Sequence, residues 1–179
     1  MIRHMAAFSV LFGSSLAPIG AWACSVTKMT SNIELIQHAD SVLVAKAVEY
    51  AKPRSDPNVW TTGVPDSNVR FAKLEVVRGE DPSRLELPGY LVQQDDFNDQ
   101  KAPYTFVRPG GRAGSCFANS YRQGAEYLLF LKKTKTGTFT VNWAALAPVN
   151  EQLHSSEDPW LTWVRGQAGK IGHEKDAQK

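Results

Sequence analysis

The chain has 179 residues, is 42% hydrophobic and 21% charged, and sets 20 Lys and Arg against 18 Asp and Glu. That profile fits one ordinary globular domain with enough apolar side chains for a core, and excludes a disordered or fibrous chain. A formal charge of +2 gives no electrostatic reason to expect nucleic acid or an anionic membrane surface as a partner.

Residues 1–23 read as a signal peptide. Arg3 and His4 form a short n-region, an apolar run continues to Leu16, and Pro18 and Gly20 break it. Ala21 and Ala23 supply the small residues at −3 and −1 of a cleavage site. The apolar run is too short and interrupted for a membrane span, and no later stretch qualifies. The expected division is a leader at 1–23, one domain at 24–168 and a polar tail at 169–179. The expected location is periplasmic or secreted.

Cleavage after Ala23 leaves Cys24 at the mature N-terminus, with Cys116 as the only other cysteine. In an oxidising compartment two cysteines most simply form one disulfide. The chain-entropy model gives about 4–5 kcal/mol for so long a loop. Two alternatives stand beside this pairing. Both cysteines can be buried thiols, or Cys24 can carry a lipid anchor, which would preclude the disulfide. A lipobox carries Leu at −3 and a small residue at −2, and Ala21 and Trp22 match it poorly.

In chain order, Ser31-Asn32-Ile33-Glu34 has the form of a capping box and predicts a short helix over 32–39. Residues 41–50 are the clearest strand, apolar on both faces at their start. Residues 51–67 carry three prolines and a glycine and read as a surface loop. A second long strand is predicted over 68–79, a short third over 83–87, and a fourth or an irregular edge at 90–92.

Residues 95–115 have no periodicity; a loop of that length in a small domain is functional or pinned by its own contacts. Tyr121–Glu126 reads as a turn into a buried strand at 127–131. Thr134-Lys135-Thr136-Gly137 reads as a hairpin turn before a strand at 138–143. Residues 151–154 suggest a helical turn. Asp158 and Pro159 suit the cap and first position of a C-terminal helix, with Trp160, Trp163 and Val164 on one apolar stripe and a frayed end after Ile171. Neighbouring strands without helices between them argue against a parallel sheet and for a small closed or nearly closed antiparallel barrel.

The order of these pieces resembles the netrin-like domains, among them the N-terminal domain of the tissue inhibitors of metalloproteinases. The resemblance rests on four stretches, covering 24 to about 150. They are Cys24-Ser25 at the mature start, Ala39-Asp40-Ser41-Val42-Leu43-Val44-Ala45-Lys46, the strand ending Val77-Arg78-Gly79, and Gly114-Ser115-Cys116-Phe117 followed by Glu126-Tyr127-Leu128-Leu129-Phe130. It implies a mainly β fold: a five-stranded OB-like antiparallel Greek-key barrel with a short N-terminal and a C-terminal helix, and a Cys24–Cys116 disulfide. It also implies a mature N-terminus whose α-amino and carbonyl groups could chelate a protease zinc, with Ser25 entering the specificity pocket. The chain departs from the inhibitors in having one possible disulfide and Val26 at the third mature position.

No catalytic constellation stands out. Asp95, Asp96, Asn98 and Asp99 lack the Gly and distal Glu of a calcium loop, and no His or Cys has ligand, triad or C-x-x-C spacing. The reading is therefore a non-enzymatic protein-binding module, monomeric, without cofactor or metal, whose partner is an extracytoplasmic protein with proteases among the candidates. A lipid-anchored envelope protein and an enzyme of unidentified type are the alternatives. The residues expected to meet the partner are Cys24, Ser25, Phe97, Tyr104, Arg108 and Arg112.

Overall fold

The computed structural model describes residues 28–56, 65–112 and 116–176, with the side chains of 173–176 left aside. The leader, Cys24, Ser25 and the central part of the loop before the second strand lie outside the described residues. The capping box forms: Ser31 Oγ accepts from Glu34 N, Glu34 accepts from Ser31 N, and helix α1 runs over Asn32–His38. It ends under Arg78, whose guanidinium donates to the carbonyls of Ile36 (2.7 Å) and Ala39 (3.2 Å). These are carbonyls that the end of a helix leaves without intrahelical partners.

Strand β1 (Ser41–Lys52) follows at once and is the centre of the sheet. Its first five residues are all buried because it is paired on both edges and covered on both faces. It runs antiparallel to β2 (Asn68–Gly79) on one side and to β6 (Glu126–Lys133) on the other. Four irregularities in the β1–β2 register bend the pair, as bulges do. The main sheet has the order β3-β2-β1-β6-β7, where β3 is Glu86–Pro88 and β7 is Phe139–Val141. Strand β8 (Asn150–Gln152) continues the edge of β6 beside β7, pairing with Tyr127–Leu129. A second, two-stranded sheet joins β4 (Tyr90–Val92) to β5 (Ser120–Arg122) in parallel.

The fold is therefore mainly β, an antiparallel sheet with helices, as expected. The outer strands β3 and β7 curl towards one another and line a common depression with Arg84, Thr138 and Phe139. Among the described residues no backbone ladder joins them, so the sheet is open along that seam.

The core lies where β1, β6 and the first half of β2 meet the helices. Phe71, Tyr121 and Tyr127 meet edge to face, with centroids 4.9–6.2 Å apart. Helix α3 (Pro159–Asp176) buries Trp160, Leu161, Val164, Ala168 and Ile171 on one stripe. Trp160 is fully enclosed and stacks on Trp163 at 5.3 Å. Arg165 pairs with Glu75, fastening α3 to β2 and holding that carboxyl below its usual range through the guanidinium bond. Among the described residues no helix is long and apolar enough to cross a membrane.

Three expectations need correction. Residues 151–154 were expected as a helical turn, but Asn150–Gln152 form a strand. Three consecutive polar residues give no apolar alternation, and here all three are buried. Tyr121 and Arg122, expected in a turn, belong to β5. The C-terminal helix runs past Ile171 to Asp176.

The corner between α1 and β1 depends on Asp40. Its amide donates to Leu131 O, its carboxylate accepts from Lys133 N (2.8 Å), and its carbonyl accepts from Glu80 N. Gly79 packs against that carbonyl at φ +87°, and a Cβ there would overlap the Asp40 oxygen. Gly79→Ala combines a left-handed backbone with a backbone clash. It is expected to cost at least about 2 kcal/mol in urea unfolding.

Candidate functional site

The long segment between β4 and β5 is held from below by one side chain. Arg108 is fully buried. Its Nη1 pairs with Asp96 Oδ2 at 2.6 Å, its Nε donates to Asn150 O at 3.1 Å, and its Nη2 donates to Ala118 O at 3.1 Å. The guanidinium also lies over the rings of Tyr121 and Tyr127, 5.7 and 5.4 Å from their centroids.

Glu151 completes the arrangement from β8. Its Oε1 accepts from Arg108 N at 3.1 Å and its Oε2 accepts from Asn98 Nδ2 at 2.8 Å. Asn98 Nδ2 also donates to Phe106 O. Gln152 accepts from Asp96 N and donates to Asp95, while Asp96 takes a further bond from Gly110 N at the one-turn helix α2 (Pro109–Arg112). The buried polar triplet of β8 thus supplies the partners that the irregular loop lacks within itself. Burial pushes the Glu151 carboxyl up to about 7; Arg108 and the Asn98 bond act in the opposite direction.

The loop is tied elsewhere too. Asn32 Nδ2, at the start of α1, donates to Tyr104 O at 2.8 Å. Val107 N donates to Leu146 O, and Leu146 N donates to Cys116 O. Cys116 and Leu146 both have left-handed backbones, at φ 64° and 62°. Phe97 makes a parallel bridge to Gln152 and stacks on His154 at 4.1 Å. His154 Nδ1 lies 3.0 Å from Asp158 Oδ2, and the buried Asp158 caps α3 by accepting from Trp160 N.

Comparison with family models and with curated proteins returns no match to this chain. The site therefore stands on its geometry.

The structure separates the residues expected to meet a partner. Phe97 is half-buried at the loop edge, and Arg112 is partly exposed and paired with Asp99. Tyr104 and Arg108 are inside, at 3% and 0% exposure. The Arg108 side chain is spent on internal contacts, so it shapes the loop from below and presents nothing to a partner. Cys24 and Ser25 lie outside the described residues. Phe106, which the sequence did not single out, is 42% exposed on the same loop.

The acidic run does not converge. Asp95 faces Arg122, Asp96 faces Arg108 and Asp99 faces Arg112. Among the described residues no group of three or more His, Cys, Asp or Glu side chains could hold a metal ion. Glu151 and the His154–Asp158 pair were missed from the sequence. The signal for Glu151 was a polar triplet between Val149 and Leu153 without a turn residue; His154–Asp158 was visible only as an i, i+4 spacing before a cap.

Arg108→Ala leaves the Glu151 and Asp96 carboxylates without their cation and is expected to destabilise by about 3–5 kcal/mol in chemical denaturation. Glu151 holds its proton longer folded than unfolded. Its contribution to stability is therefore greatest below the ordinary carboxylate pKa and is lost as pH rises through about 7. Urea unfolding across that window should show the stability of wild type relative to Glu151→Gln falling with pH. A pH-independent difference would rule out this titration.

Proposed function

We propose that the chain is an extracytoplasmic, non-enzymatic protein-binding module that meets its partner along the 95–112 loop and the neighbouring mature N-terminus. The observation that carries this reading is the clamped loop. A segment without a regular ladder of its own is fixed by Arg108, Glu151 and Asn98 beneath it, while Phe106 and Arg112 reach the surface. Fixing a loop before binding removes most of the ordering cost that a mobile loop pays on contact. An exposed aromatic and an arginine on one fixed loop are residue types favoured at protein interfaces.

The Asn32–Tyr104 bond supports the N-terminal share of this surface, because it sets the start of α1 against the loop. In the full reading Cys24 pairs with Cys116, the seam between β3 and β7 is the closure of an OB-like barrel, and the terminus so held lies beside the loop. The metalloprotease-inhibitor form of the reading adds zinc chelation by the Cys24 α-amine and carbonyl; the resemblance supports it through Cys24-Ser25.

Intact mass of the mature protein tests the bridge: two hydrogens below the reduced chain starting at Cys24 is expected, and a diacylglycerol adduct would reject it for a lipid-anchored protein. Affinity capture from envelope extract tests the surface. The partner retained by wild type should be reduced about tenfold by Phe106→Ser with Arg112→Glu, and retained by Lys135→Glu on the distant hairpin. Equal capture by all three rejects the loop as the binding surface. For the inhibitor form, an extra Ala before Cys24 should abolish inhibition of a metalloprotease that wild type inhibits.

A further inference from the structure

A cavity of about 500 Å³ opens between the loop and the start of α3, lined by Asp99, Lys101, Ala102, Tyr104, His154 and Pro159 together with Asn98 and Gln100. That volume lies in the range of small-molecule sites. Its walls are fixed. Asn98 is bonded to Glu151, Phe106 and Gln100, Gln100 Oε1 is taken by Thr105, and Asp99 faces Arg112.

Three polar groups are left unspent. Tyr104 is 3% exposed and packs its ring on Trp160 at 5.4 Å, yet its hydroxyl has no hydrogen-bond partner among the described residues. It does not count among the wholly enclosed polar atoms, so its small exposure includes the hydroxyl. A tyrosine hydroxyl this deep normally finds a partner. Lys101 is exposed and makes no ion pair among the described residues. His154 gives Nδ1 to Asp158 and is half exposed, leaving Nε2. With Nδ1 held by Asp158, Nε2 is the ring nitrogen left to pair with a ligand.

The geometry points to this cavity as a binding site for a small 2-hydroxy carboxylate. The Tyr104 hydroxyl and the Lys101 ammonium donate to the carboxylate, and the ligand's hydroxyl, which can donate or accept, pairs with His154 Nε2. Ala102 and Pro159 leave room for a short alkyl group. Burial, with Asp158 and Glu151 nearby, pushes the Tyr104 hydroxyl up to about 12, which keeps it a donor at any physiological pH. The three carboxylates do not bar an anion, because Asp99 pairs with Arg112, Glu151 lies against Arg108 and Asn98, and Asp158 is held by His154 and the amide of Trp160. This site is independent of the protein-binding reading.

The test is an amide and side-chain NMR titration of the whole mature protein with L-lactate, propionate and 1,2-propanediol. Lactate is expected to give saturable shifts around Tyr104 and His154 in the millimolar range. Propionate, lacking the hydroxyl, should bind several-fold more weakly, and propanediol, lacking the carboxylate, should not saturate. Tyr104→Phe keeps the packing on Trp160 and should weaken lactate about tenfold. Lys101→Gln, at the surface and without structural bonds, should weaken it about threefold, which keeps the test valid should Tyr104→Phe fail to fold. No saturation up to about 50 mM lactate, equal binding by Lys101→Gln and wild type, or equal shifts with propanediol would overturn the assignment.

Discussion

Arg108 carries a full positive charge where solvent does not reach, and that charge must be answered from within the protein. Asp96 answers it directly; two backbone carbonyls and the faces of two tyrosines take up the rest of the guanidinium. Each answering group comes from a different part of the chain: Asp96 from the loop itself, Asn150 from β8, Ala118 from the stretch before β5, and Tyr127 from β6. Removing any one leaves a charge or dipole stranded at low dielectric. The arrangement therefore tolerates little rearrangement, and the irregular segment above it inherits that stiffness.

Apolar burial alone would not have produced this. A loop made mostly of polar and small residues cannot bury enough hydrocarbon to order itself. Here the ordering comes from polar groups placed on regular elements. Glu151 and Gln152 sit on a strand whose register is fixed by β6, and Asn32 sits in the first turn of a capped helix. The rigid part of the fold thus sets the position of the irregular part through side-chain to backbone bonds, with Phe106 and Arg112 carried outward as a result.

Features decided within a few residues were legible in the sequence. The Ser31–Glu34 box, the Val-rich opening of β1, the turn before β7 and the Asp158-Pro159 cap all act over one turn of chain, and each formed where expected. What was illegible depends on pairing across 30 or more residues. Asn150-Glu151-Gln152 look like loop residues until the partners at 96, 98 and 108 are beside them. Arg108 and Tyr104 look like surface groups for the same reason: a charged or phenolic side chain in an aperiodic stretch is usually solvated, and only the long-range contacts reveal that these two are not. In the Asp95–Asp99 run, adjacency in sequence does not carry over to space. Instead the carboxylates diverge to Arg122, Arg108 and Arg112.

The parallel pairing of β4 with β5 bears on where the chain can change length. Val92 and Ser120 lie at opposite ends of the pair, since Tyr90 faces Ser120 and Val92 faces Arg122. The connection must travel back along the strands before it can re-enter, so it is a crossover and not an insertion looped out of a hairpin. Excising it would force the two strands apart or reverse one of them. The β6–β7 hairpin tip is the opposite case. Gly137 sits there at φ +83° with open space around its Cα, the bonds of the tip stay among Thr134–Thr138, and Leu131–Lys133 register on Phe139–Val141 below it. Drift in length, or a grafted sequence, is thus accommodated at the hairpin tip, while the crossover keeps its length.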